Sequence, residues 1–195
     1  MKKITLSILC LVAVAAHAQN FKPFKVDLST GYAIPGGEGA KGGVLFAIEP
    51  KYAVMPNLSV GLRFETAIMA RGFADNTGET ANMEVKAAGS YLVTGDYYFT
   101  ENTVRPFGGI GAGLFSLAGA SAGSSGESVG GGSKFGGLAR VGVEIGHFRM
   151  GLEYNLVPAT KIAVYDGNTT YTSETKNGYI GIKIGAVIGG GKIKK

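Results

Sequence analysis

Hydropathy alternates with a period of two along most of this chain. From Val85 to Phe99 the even positions read Lys86, Ala88, Ser90, Leu92, Thr94, Asp96 and Tyr98, and the odd positions Val85, Ala87, Gly89, Tyr91, Val93, Gly95, Tyr97 and Phe99. Successive side chains of a strand point to opposite sides, so this is a strand with one polar face and one apolar face. The same alternation predicts eight strands, at Phe24–Ile34, Gly43–Val54, Leu58–Ala70, Val85–Phe99, Pro106–Leu117, Lys134–Gly146, Phe148–Val157 and Gly178–Ile188.

The connections between these strands alternate as well. Pro35–Gly42, Arg71–Glu84, Ala118–Ser133 and Pro158–Asn177 are long, whereas Met55–Asn57, Thr100–Thr103 and Gly146-His147 are short. Long connections at one end and tight turns at the other are the mark of an antiparallel up-and-down barrel. The predicted fold class is therefore all-β, an eight-stranded antiparallel up-and-down transmembrane β-barrel. The connection AGASAGSSGESVGGGS is low in complexity and reads as an exposed flexible loop. Its glycines, and those of Gly108–Gly113, lack the strand-to-helix context of a phosphate-binding loop.

One face of these strands collects Lys25, Asp27, Glu49, Lys51, Arg63, Glu65, Lys86, Asp96, Lys134, Arg140, Glu144, Arg149, Glu153 and Lys183. The other holds large apolar groups, among them Phe46, Ile48, Leu62, Phe64, Tyr91, Val93, Val141, Leu152, Ile180, Ile182 and Ile184. Alternation alone does not say which face is outside, and a soluble barrel would bury the apolar one. The residues between the charges decide. They are small, including Gly31, Ala33, Ala47, Gly61, Ala67, Ala88, Ser90, Gly136, Gly142, Gly151, Gly181 and Gly185. Gly and Ala weaken strands on a solvated face, whereas an eight-stranded interior is only just wide enough for side chains. We therefore place the apolar face outside and the charges inside, paired with one another, in a lumen plugged by side chains and without an open pore. The less ordered alternative is a solvated lumen with little pairing. Phe24, Tyr52, Tyr97, Tyr98, Phe99, Phe107 and Phe148 gather near the short turns, which fits either an interfacial girdle or the ordinary strand preference of aromatic residues.

The first residues add an export signal. Lys2 and Lys3 precede the apolar run Ile4–Ala16, and Ala16-His17-Ala18 supplies a small-residue cleavage site. The expected organisation is a cleaved signal peptide over residues 1–18 and a barrel domain over 19–195. Cys10 lies in the signal, with Leu9 before it where a lipoprotein site calls for a small residue, so the mature chain is expected to carry no disulfide and no thiol chemistry. The net charge of +5 falls to +3 without Lys2 and Lys3, too mild a surplus for nucleic-acid binding. No apolar run is long enough for a spanning helix.

The signal, the eight strands and the segment TGDYYFTENTVRPFGGIGAGLF together resemble the bacterial outer-membrane β-barrel domain proteins, the small OmpA-type and OmpX-type barrels. The resemblance implies a fourth strand closing on a Tyr/Phe cluster, a short turn, then Arg-Pro-Phe and a glycine-rich fifth strand, as Thr94–Phe115 is laid out here. The chain departs from that pattern at its last strand, which runs into Val187-Ile188 and GGGKIKK rather than ending on an aromatic residue. No trailing peptidoglycan-binding module is expected.

Candidate chemistry is sparse. His17 falls in the signal and His147 in a short turn, so no Cys–His, Ser–His or multi-His site is predicted. The outer-rim histidine of lipid A-modifying barrels has no counterpart. Glu144 and Glu153 are candidate neighbouring carboxylates across the sixth and seventh strands, better explained as partners for Arg140 and Arg149. Asp75, Glu79 and Glu84 lack the ligand spacing of a calcium loop, and Asn168-Thr169-Thr170 is a glycosylation sequon of little weight in a bacterial-looking chain. The expected protein is non-enzymatic, without catalytic residues, cofactor or metal, monomeric, and located in the outer membrane. Its partners are membrane lipid and an extracellular or envelope molecule met through the long loops, with Tyr165 and Tyr171 among the contact residues. Two alternatives are a conduit for small hydrophobic molecules, opening at the uncharged fifth strand, and a soluble periplasmic ligand-binding barrel.

Overall fold

The structure, a computed structural model, describes residues 22–36, 40–74, 80–121, 132–165 and 170–190. The signal segment, Asp75, Glu79, Asn168 and the middle of the Gly/Ser-rich connection lie outside the described residues.

Ten strands form. They are β1 Phe24–Pro35, β2 Ala40–Met55, β3 Leu58–Ala74, β4 Thr80–Tyr98, β5 Val104–Ser121, β6 Gly132–Ile145, β7 Phe148–Leu156, β8 Thr160–Tyr165, β9 Thr170–Thr175 and β10 Tyr179–Gly189. Eight of them close into an antiparallel barrel in the order β1-β10-β7-β6-β5-β4-β3-β2, the up-and-down topology expected from the connections. Closure removes the free edges that an open sheet of this length would expose.

The remaining two strands correct the sequence reading. Pro158–Asn177 is not a plain loop, because β8 and β9 pair with each other from Thr160↔Thr175 to Tyr165↔Thr170 as a separate two-stranded sheet. Strands also run further into the long connections than hydropathy indicates. The β3–β4 ladder continues through Arg71↔Glu84 to Ala74↔Thr80, so most of Arg71–Glu84 is strand. Once polar residues occupy both faces the alternation fades, yet backbone pairing goes on.

The wall is uneven in height. β3, β4 and β5 have 17, 19 and 18 residues, whereas β7 and β10 have 9 and 11. At ~3.3 Å per residue the tall side overhangs the short side by roughly 20 Å. The excess lies at the end of the long connections, since the short turns align β2–β3, β4–β5 and β6–β7 at the other. There Tyr98 N–H donates to Asn57 O at 2.7 Å and Val187 N–H to His147 O at 2.7 Å, tying the turns to neighbouring strands.

Candidate functional site

The predicted sidedness holds on both surfaces. Twelve of the fourteen charged residues assigned to the interior are buried there: Lys25, Asp27, Glu49, Lys51, Arg63, Glu65, Asp96, Arg140, Glu144, Arg149, Glu153 and Lys183. Of the other two, Lys134 is half-buried and donates to Ala159 O at 2.6 Å, and the side chain of Lys86 lies outside the described residues. Outside, Phe46, Leu62, Phe64, Tyr91, Val93, Ile110, Leu152, Ile182 and Ile184 are among the many large apolar side chains left exposed around the barrel. Burying ions while exposing hydrocarbon inverts the arrangement that water favours.

The interior charges form two networks. The one nearer the short turns contains Lys25, Lys51, Arg140 and Arg149 against Asp27, Glu49, Asp96 and Glu144. Arg140 donates through Nη1 and Nη2 to Glu49 at 2.8 and 2.7 Å and through Nε to Asp96 at 2.8 Å. Arg149 reaches Asp96 at 2.8 Å and Asp27 at 3.0 Å. Lys51 joins Asp27 at 3.1 Å and Asp96 at 3.0 Å, and Lys25 joins Glu144 at 3.2 Å. Thr94 adds a hydroxyl donor to Glu49.

The second network lies nearer the long connections. Arg63 contacts Glu65 and Glu153, while Lys183 Nζ lies 2.8 Å from Glu65 and 3.5 Å from Glu153. Tyr179 donates to Glu65 at 2.7 Å, and Asn155 to Glu153 at 3.4 Å. Each network is electrically neutral, with four ions of either sign in the first and two of either sign in the second. That balance matters because a buried ion without a partner costs several kcal/mol. Between the networks lies a cavity of about 30 Å³ lined by Asp27, Glu49, Arg140, Arg149, Glu153 and Lys183. This is room for about one or two water molecules, not for a solute path.

Toward the long connections the filling becomes apolar. Ala33, Leu45, Ala67, Met69, Ala88, Leu92, Phe115, Leu138, Val157 and Tyr179 form one buried cluster. The lumen is therefore plugged, as expected, but by two kinds of material stacked along the axis.

Several residues stand differently from the sequence reading. Tyr98 and Phe107 are not girdle aromatics, being 1% and 3% exposed inside the barrel. Tyr98 donates to Glu144 at 2.7 Å and accepts from Lys25 at 2.7 Å and Arg149 at 2.8 Å, while the Arg149 guanidinium sits 3.6 Å from the Phe107 ring centre. Rings in the lumen give cations a weakly polar face that hydrocarbon lacks. Phe24, Tyr97, Phe99 and Phe148 do face outward near the short turns. Arg140 stands opposite Glu153 in the β6–β7 register, yet the two do not pair; Arg140 crosses to Glu49, and Glu153 serves Arg63 and Lys183. Glu144 does meet Arg149, at 3.4 Å. Glu144 and Glu153 thus belong to different networks and form no carboxylate pair. His147 sits in its predicted turn, with Nδ1 2.7 Å from Val187 O.

Sequence reasoning passed over Tyr179, Asn155 and Thr94 as network members. The signal that finds them is parity, since Tyr179 shares a face with Lys183, Asn155 with Glu153 and Thr94 with Asp96. The glycine-rich fifth strand also shows no open seam. Its ladders run without a register shift from Glu84↔Ser121 to Tyr98↔Phe107 and from Val104↔Ile145 to Leu117↔Gly132.

A closed eight-stranded antiparallel barrel with an ion-filled lumen and an apolar outer wall is the class of protein that fold and site define. Solved structures of the same shape include Neisserial surface protein A, 16% identical with a TM-score of 0.57 over 90% of this chain and 100% of that one. The outer membrane protein OprG from Pseudomonas aeruginosa is 12% identical, with a TM-score of 0.53 over 86% of this chain and 97% of that one. No protein-family model matches the chain, and no curated protein matches it.

Proposed function

We propose that this chain is a small integral barrel of the bacterial outer membrane whose work is done by its surfaces rather than by passage through its lumen. The observation that carries the reading is the outer wall. Isolated exposed apolar residues are ordinary in soluble proteins, but a continuous belt of them around a closed sheet far exceeds the few hundred Å² a soluble monomer tolerates. In a bilayer the same belt is the solvated surface, and closure leaves no backbone donor or acceptor facing hydrocarbon. β7 and β10, at 9 and 11 residues, match the length of a tilted spanning strand, and the excess of β3–β5 then stands outside the bilayer. The folds of Neisserial surface protein A and OprG agree with this reading.

The role follows from what is left exposed. The filled interior favours a structural, adhesive or interaction role carried by the overhanging wall, the long connections and the β8–β9 hairpin, with an extracellular or envelope molecule as partner. Catalysis is no part of this reading. The test is fractionation and gel mobility of the mature chain. It is expected in the detergent-soluble membrane fraction, and unboiled samples are expected to migrate differently from boiled ones. Recovery as a soluble monomer without detergent overturns the proposal.

A further inference from the structure

The lumen is filled between its two ends, but its short-turn mouth is open. A vestibule of about 960 Å³ lies there, near the upper end of the roughly 300–1,000 Å³ typical of small-ligand sites. Its charged lining is Lys22, Lys25 and Arg105 against Glu101 and Glu144, which leaves one positive charge in surplus. Arg105 stands outside the balance of the network beneath it, as a fifth cation above four carboxylates. The remaining titratable group, His147, has Nδ1 on Val187 O at 2.7 Å.

The carboxylates within reach of these cations do not satisfy them. Glu144 lies 3.2 Å from Lys25, 3.4 Å from Arg149 and 3.5 Å from Arg105, and it also accepts from Tyr98 at 2.7 Å. One carboxylate thus serves three cations. Glu101 is exposed on the turn between β4 and β5 and joins no ion pair among the described residues. Arg105 is nevertheless fixed in place. Its guanidinium lies 4.0 Å from the Tyr98 ring centre, and Nη2 donates to Pro56 O at 2.6 Å. A guanidinium carries five N–H donors, and among the described residues Arg105 engages only Pro56 O and, at 3.5 Å, Glu144. Buried Lys25 likewise gives its protons to Tyr98 and Glu144, with a third donor to spare. A cation stacked on a ring, anchored by a carbonyl and left with free donors is a ready receptor for an oxyanion.

We propose that the short-turn vestibule binds peptides by their terminal carboxylate, received by Arg105 with Lys25 behind it. The surplus is a single charge, which a carboxylate balances; a phosphate dianion would overshoot it beside Glu101 and Glu144. The planar fork of the guanidinium matches the two oxygens of a carboxylate. Beyond the charges, the wall places Ser59, Asn102 and Thr103 beside Ala53 and Val187. That mixture of polar and apolar groups suits an amide-linked chain better than a hydrocarbon tail or a compact inorganic ion. The site lies at the opposite end of the barrel from the long connections, so it goes beyond the contacts proposed for them.

The test is a titration of the full chain, folded in an uncharged detergent, with N-acetyl-Ala-Ala, its C-terminal amide, acetate and inorganic phosphate. Two-dimensional NMR follows the backbone amide and arginine Nε–H signals. The dipeptide acid is expected to shift the signals of Arg105, Asn102 and Thr103 saturably and to bind about tenfold tighter than the amide, which lacks the charge-assisted hydrogen bonds. Arg105→Gln should weaken the acid about tenfold. Glu101→Gln, which touches no interior pair, should tighten it about twofold by removing a like charge from the rim. Equal affinity for acid and amide, or undiminished binding by Arg105→Gln, overturns the proposal. Acetate or phosphate binding as tightly as the dipeptide acid overturns the peptide assignment in favour of a free anion. Should Arg105→Gln fail to fold, Glu101→Gln carries the test, and acid binding there no tighter than in the wild type overturns the proposal. Unboiled gel mobility reports separately on the barrel: a folded wild-type band without acid binding overturns this site alone.

Discussion

Arg140 on β6 and Glu49 on β2 face each other across the barrel through two hydrogen bonds of 2.8 and 2.7 Å, although 91 residues separate them in sequence. The bidentate geometry fixes both side chains at once, and Asp96 takes the remaining Arg140 Nε–H at 2.8 Å. One side chain thus braces three strands from inside.

Removing that brace is expected to leave buried Glu49 with Lys51, 3.6 Å away, as its neighbouring cation, while Asp96 keeps Lys51 and Arg149. Arg140→Met should lower stability by about 3–5 kcal/mol, because breaking a buried pair strands its partner. The urea midpoint of the folded protein in detergent or vesicles measures this. Adding Glu49→Met should recover part of the loss, since the second substitution removes the stranded charge.

The two faces of β10 make opposite demands. Ile182→Lys places an ammonium on the outer wall and is expected to cost about 2–4 kcal/mol at the middle of a bilayer. Folding yield into vesicles is the readout. Gly181→Leu is expected to fail for lack of space, because a Cβ there would lie 2.9 Å from Glu153 Cγ and 3.1 Å from Leu45 Cδ2. Its defect should appear equally in detergent, where the Ile182→Lys defect should diminish.

Planar-bilayer recording tests the plugged lumen. With two interlocked networks, an apolar layer above them and a central cavity of only about 30 Å³, the folded chain is expected to show no large steady conductance. A sustained ohmic current carried by the unmodified barrel would contradict the packing described here.

Tyr98→Phe keeps the ring that packs 4.0 Å from the Arg105 guanidinium but removes the hydroxyl that joins Lys25, Arg149 and Glu144. We expect a loss of about 1–3 kcal/mol in denaturant stability, the cost of buried polar groups losing a partner. Phe107→Leu should cost less, since it removes only the cation–ring contact with Arg149 and part of the packing.

The β8–β9 hairpin pairs with itself and not with the barrel wall. Replacing residues 160–175 by a short Gly/Ser linker is expected to leave the urea midpoint nearly unchanged, because loop length adds little closure entropy. Any binding carried by this end should be lost while gel mobility still reports a folded barrel.

The alternation from Val85 to Phe99 and its repeats were enough to specify eight barrel strands, their antiparallel order and which side of each faces out. That is a local property: a period of two assigns faces, and the small residues between the charges show which face is crowded. The lumen partners were not local. Arg140 stands opposite Glu153 in register, and only closure of the sheet brings Glu49 within reach of its guanidinium. The same closure turns Tyr98 and Phe107 from girdle candidates into ring faces for cations, and gathers Leu45, Leu92, Phe115 and Leu138 into an apolar layer. β8 and β9 escaped the pattern because they pair with each other, as a two-stranded sheet separate from the barrel ladders. Sequence determined the orientation of each strand's two faces; tertiary structure decided who meets whom inside, because a closed sheet joins residues that no periodicity along one strand connects.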